Sequence, residues 1–213
     1  NYYTLKSRIK ALGTQKRIGS KEKDHLDRPV EGSLIFYDTI SFQKTQEDAM
    51  NIAICTLGCK VNQYETQAME RELVRRGHAL VPFEGPADAY IINTCTVTAV
   101  SDKKSRQMIR RARKQSPDAV VAMCGCYPQT HPQDAEALDV DLIAGTGDRM
   151  RFLDLLEDAA REKAPVVSLD EALRRRTFEV LPAGGLAERT RAMLKVEDGC
   201  ANFCSYCIIP YAR

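Results

Sequence analysis

From residue 51 onward the chain alternates short apolar runs with longer amphipathic ones, and this alternation limits its possible folds more than any other feature. Asn51-Ile52-Ala53-Ile54-Cys55-Thr56-Leu57 is apolar, rich in β-branched residues and stopped by Gly58, the pattern of a buried strand. From about Asn62 to Arg76, Ala68, Met69 and Leu73 share one helical face, and Gly77 stands where a helix is capped. Ala79–Val81 and Ala89–Ile92 read as the next strands, Val100–Gln115 as a second helix, and Ala119–Met123 and Asp141–Ala144 as further strands. Phe152, Leu155, Leu156 and Ala159 mark a third helix. Strands apolar along their whole length need cover on both faces, which predicts an α/β fold, a doubly wound parallel sheet, over residues 51–163.

The flanks read differently. Residues 1–50 carry Lys6, Arg8, Lys10, Lys16, Arg17, Lys21 and Lys23 broken by Gly13 and Gly19, then a strand-like run at Leu34–Tyr37. This stretch is expected as an N-terminal extension, and His25 stands alone in it with no ligand spacing. Residues 164–190 are expected as a linker holding Arg174-Arg175-Arg176, and Arg191–Val196 as a strand leading into a cysteine-rich loop. The net charge is only +2, so affinity for nucleic acid has to come from local patches. No apolar run reaches the ~18 residues of a membrane span, and the N-terminus has no secretory core, so no membrane partner is expected. Eight cysteines in a chain with 44% hydrophobic residues and no signal fit reduced thiols in the cytoplasm better than a secreted disulfide scaffold.

Those cysteines fall into two groups. Cys200, Cys204 and Cys207 lie in one loop at spacing C-x3-C-x2-C, with neighbours at most ~14 Å apart even when extended. Three thiolates are one short of a closed metal site, which points to a ligand from elsewhere or to an open metal position. A [4Fe-4S] cube held by three thiolates leaves one iron free for a small molecule. Structural zinc, which usually shows paired C-x2-C knuckles, and a disulfide loop are the alternatives. The second group is Cys59, Cys95 and Cys126, each just past a different expected strand and therefore at the edge where such sheets bind ligands. Cys55 and Cys124 fall within strands and read as buried apolar groups, though Cys124, two residues before Cys126, would share its face as a spare ligand.

With an aromatic residue, Tyr206, just before its third cysteine, the loop resembles the signature of the radical S-adenosylmethionine (SAM) enzymes. Joined to three N-terminal cysteines on an α/β domain, the chain over 51–213 resembles the radical-SAM methylthiotransferases. The segments that carry this are Thr56–Thr66, Asn93-Thr94-Cys95-Thr96-Val97-Thr98, Gly125-Cys126-Tyr127-Pro128-Gln129 and Asp198-Gly199-Cys200 onward. The wording Lys60-Val61-Asn62-Gln63-Tyr64-Glu65 is similar to the branch acting on N6-threonylcarbamoyladenosine at tRNA position 37.

The resemblance implies two [4Fe-4S] clusters. Cys59, Cys95 and Cys126 would hold an auxiliary one, and Cys200, Cys204 and Cys207 the one that binds SAM, with Tyr206 beside the cofactor. It implies tRNA as substrate, with the adenosine in its anticodon loop, and an electron donor such as flavodoxin or ferredoxin. No catalytic His or carboxylate is demanded. In those enzymes the strand before the SAM loop opens an α/β barrel, usually followed by a small RNA-binding β-domain. Residues 191–213 are thus expected to give only the first strand and loop of that barrel, and the 213-residue chain to be inactive by itself. Lys103, Lys104, Arg106, Arg110, Arg111, Arg113 and Lys114 fill one arc of the second helix against the single acid Asp102, either a solvated face or a phosphate contact. A methylthiotransferase of another branch, and a non-enzymatic iron-sulfur or zinc RNA-binding module, remain the alternatives.

Overall fold

The computed structural model describes residues 49–181 and 193–213. The expectations for residues 1–48, the Leu34–Tyr37 run among them, lie outside the described residues, as do Arg191 and Ala192. Six strands, β1 (Asn51–Thr56), β2 (Ala79–Val81), β3 (Ala89–Thr94), β4 (Val120–Gly125), β5 (Leu142–Ala144) and β6 (Val166–Ser168), form one sheet in the order β2-β1-β3-β4-β5-β6. Every pairing is parallel. The helices are α1 (Lys60–Arg75), α2 (Ala99–Gln115), the short α3 (Cys126–Thr130) and α4 (Pro132–Glu136), α5 (Arg149–Glu162) and α6 (Ile209–Ala212).

Strand alternation feeds two separate cores, as a doubly wound sheet requires. Ile52, Ala89, Ile91, Ala122, Cys124 and Leu142 face Met69 and Leu73 of α1 and Phe152, Leu153 and Leu156 of α5. The intervening residues Ala53, Tyr90, Ile92, Val121, Met123 and Ile143 face Ile109 and Ala112 of α2, Tyr127 of α3 and Ala135 of α4. Helix α1 ends as its sequence implies. Gly77, at φ +90°, donates to Val74 O and His78 to Leu73 O, the paired bonds of a glycine-closed C-terminus.

Two expectations are corrected here. The stretch expected as a linker contributes β6, whose Val166, Val167 and Ser168 pair with Leu142, Ile143 and Ala144. The expected strand at Arg191–Val196 has no ladder over its described residues 193–196. It keeps the period of two, with Lys195 buried and Leu194 and Val196 exposed, but side-chain contacts hold it in place of a neighbouring strand. Met193 packs toward Tyr64, Ala68 and Leu181, and Lys195 is drawn into ion pairs.

Candidate cysteine site at the sheet edge

The strand order reverses between β1 and β3, and in open parallel sheets the crevice beyond the carboxyl ends at such a reversal is where ligands bind. Cys59 follows β1 as the N-cap of α1, Cys95 follows β3, and Cys126 opens α3 directly after β4. Cys59 is exposed, whereas Cys95 and Cys126 are buried.

Two glycines let the loops come this close. A Cβ on Gly58, at φ +105°, would lie 2.7 Å from Cys95 Cβ and 3.0 Å from its Sγ. Gly125, at φ 103° and ψ −158°, occupies a region essentially reserved for glycine, and a Cβ there would meet Thr94 O at 2.5 Å. Because β4 ends at Gly125, strand alternation does not carry on to Cys126. Cys124 packs into the α1/α5 core, yet its thiol lies near Glu65 and Arg213, the same charged groups that bear on Cys126. Burial raises the thiol pKa of Cys124 to about 11 and that of Cys55, packed on the opposite core, to about 11 as well. Both are core groups.

A polar hub that the cysteine spacing did not reveal ties the three loops together. Asn62 is fully buried, and its amide donates to Leu57 O (2.9 Å) and Thr94 O (2.8 Å), joining the β1 and β3 loops. Its Oδ1 accepts from the Cys59 thiol (3.5 Å) and from Arg213 Nη2 (2.8 Å). Asn93, also fully buried, donates to Asn62 O and Thr66 Oγ1, both at 3.1 Å. Thr94 Oγ1 donates to Cys124 O (2.6 Å) and accepts from Tyr127 N (3.3 Å), fixing the start of α3. Burial pushes the Cys126 thiol up, and the Arg213 guanidinium beside it works in the opposite direction. Asn62 and Asn93 carry a sequence signal after all: each is a carboxamide placed where the pattern is otherwise apolar or helical.

Among the described residues, no group of three Cys, His, Asp or Glu side chains closes on a single metal ion. Cys59 lies against Asn62, Cys95 beside Gly58, and Cys126 beside Arg213, which itself reaches Asn62. A cluster offers each thiolate its own iron and so accepts thiols set farther apart than one ion does. The donor set and the glycine-lined approach fit such a group.

The second cysteine group is open. Cys200 and Cys204 are exposed, Cys207 is half-buried, and Tyr206 is 91% exposed. Cys207 N donates to Cys204 O at 2.9 Å, which closes the C-x2-C turn. Phe203, in the left-handed region at φ 49°, packs edge-on against Tyr211. The basic arc of α2 divides. Arg106 bonds and stacks on Tyr127, and Arg113 pairs with Asp139 and Asp141. Lys103, Lys104, Arg110, Arg111 and Lys114 remain exposed. Arg175 is a structural tether, bonded to Asp170, Gln129 and Thr146.

The fold and its edge define a class: a doubly wound α/β domain with cysteines on three neighbouring loops at its switch point. Residues 51–145 match the family model described as Uncharacterized protein family UPF0004. Over 163 residues the chain is 46% identical to the threonylcarbamoyladenosine tRNA methylthiotransferase MtaB of Bacillus subtilis strain 168, covering 76% of this chain and 36% of that protein. It is 39% identical over 165 residues to the protein of the same name from Aquifex aeolicus, covering 77% and 40%. The ribosomal protein uS12 methylthiotransferase RimO of Desulfitobacterium hafniense is 32% identical over 167 residues, covering 76% and 37%. The chain thus spans well under half the length of the curated relatives it matches, and over the matched region it is similar to proteins named as methylthiotransferases, those of the MtaB kind among them.

Proposed function

We propose that this chain carries both cysteine groups of a tRNA-modifying transferase that places a methylthio group at C2 of N6-threonylcarbamoyladenosine 37. The observation that supports this most is the placement of Cys59, Cys95 and Cys126 directly after the neighbouring strands β1, β3 and β4 at the switch-point edge, in a chain whose relatives are named for that modification. Cys59, Cys95 and Cys126 would hold an auxiliary [4Fe-4S] cluster, and Cys200, Cys204 and Cys207 a second one that binds SAM near Tyr206. Together these groups, when bound, supply radical removal of hydrogen from an unactivated C–H bond, a sulfur atom and a methyl group.

The chain's own residues bind and orient. Gly58 and Gly125 let the three loops approach, and Asn62 and Asn93 hold the β1 and β3 loops in register. Burial of Cys95 and Cys126 keeps water from that side of the site. The reaction asks for no protein acid or base. An electron donor such as flavodoxin or ferredoxin would complete the system. No helix among the described residues is long and apolar enough to cross a membrane.

The test is a bacterium deleted for its own threonylcarbamoyladenosine methylthiotransferase, complemented with the complete protein that carries this sequence. Nucleoside mass spectrometry of its tRNA is expected to show the methylthio derivative restored, and Cys59→Ala or Cys204→Ala to abolish it. Restoration of the modified isopentenyladenosine instead would move the protein to another branch.

A further inference from the structure

Glu65 bears on the Cys124 and Cys126 thiols only through its charge, and its own partners are cations. Its carboxylate is fully buried and meets three cations: Arg149 of α5 at 3.0 Å, Lys195 at 3.4 Å, and Arg213 through a two-pronged contact at 2.6 and 3.1 Å. Asp198 adds a second carboxylate, 2.7 Å from Lys195 and 2.9 Å from Arg213. Glu65 and Arg149 belong to the α/β domain, whereas Lys195, Asp198 and Arg213 come from the segment that carries Cys200, Cys204 and Cys207. A buried charge is tolerated only when it is paired and hydrogen-bonded, and removing one partner from such a set is strongly unfavourable.

The same segment is fixed at two further points. Ala212 O accepts from Thr146 Oγ1 at 2.6 Å, and Arg213 Nη2 reaches Asn62, the hub of the three-loop edge. Arg213 thus touches both the anchor and the hub. Its planar fork suits this double contact in a way a lysine ammonium does not.

We infer that Glu65 is the buried anchor on which the Cys200–Cys207 segment docks, with Lys195 and Arg213 as its arms. Arg213 is a positioning residue that sets the two cysteine groups in fixed relation. The purpose of that arrangement rests on the two-cluster reading; the docking itself does not.

The docking can be read in the 213-residue chain without any cofactor. The Lys195 side chain is 1% exposed, out of reach of trypsin. Arg213→Ala removes one arm and leaves the Glu65–Arg149 pair in place. Cleavage after Lys195 and amide exchange over 207–213 are expected to speed up by about tenfold or more, with β3 and β4 amides unchanged. Arg213→Lys should recover only part of the protection. Equal cleavage in Arg213→Ala and the parent chain would overturn the inference. So would a loss of protection spread equally over β3 and β4, since Arg213 would then belong to the folding of the domain. Reconstitution separates this from the functional reading: docking that responds to Arg213→Ala in a chain that binds no iron leaves the inference standing and removes the cluster assignment. Iron bound with docking indifferent to Arg213 does the reverse.

Discussion

At the residue scale, the site depends as much on what is missing as on the thiols. Gly125 has a backbone open to almost no other residue, and any Cβ there would run into Thr94 O. Gly125→Val is therefore expected to displace the start of α3 and Cys126 with it. We expect about 1–3 kcal/mol of lost stability in a denaturant titration, together with loss of iron binding at the edge. Retention of both would mean that the loop has room the structure does not show. The cysteines were legible because their place after each strand could be counted along the chain. Glu65 and Arg213 were not, because their roles arise from partners up to 148 residues away. A sequence pattern registers a polar residue in a helix; it does not register which distant loop that residue will meet.

At the scale of elements, the alternation of apolar and amphipathic runs located β1 to β5 and the three long helices to within a few residues. It missed β6 because three residues, two of them exposed, carry too little periodicity to stand out. It placed a strand at 191–196 because period two was present, whereas ladder formation depends on a neighbour that the segment itself does not specify. Helix α2 shows a similar division. Seven basic residues read as one arc, yet Arg106 and Arg113 are committed to Tyr127 and to Asp139 and Asp141. Lys103, Arg110 and Lys114 are exposed and, at seven- and four-residue steps, form one row along the helix. If that row meets RNA phosphates, reversing all three charges should weaken tRNA binding and lower the salt-dependence slope by about two to three. An unchanged slope would leave the row as a solvated face. Arg111 is a poorer choice, being bonded to Gln115 and 3.7 Å from Glu84.

At the scale of the whole molecule, a rigid parallel sheet presents three thiols at its switch point, and a buried carboxylate seats the segment that bears three more. That second group is nearly uncovered, with Tyr206, Cys200 and Cys204 all exposed, whereas radical chemistry asks for a site closed to water. The 213 residues described by this sequence are therefore expected to bind cofactor without turning over. The most direct test of the account is the iron and acid-labile sulfide content of the chain after anaerobic reconstitution, measured for the parent and for each single cysteine variant. Two [4Fe-4S] clusters, about eight irons and eight sulfides per chain, are expected. Alanine at Cys59, Cys95, Cys126, Cys200, Cys204 or Cys207 should each remove about half, and alanine at Cys55 or Cys124 should remove none. Stoichiometric zinc without sulfide, or iron lost from Cys55→Ala and kept by Cys126→Ala, would contradict it.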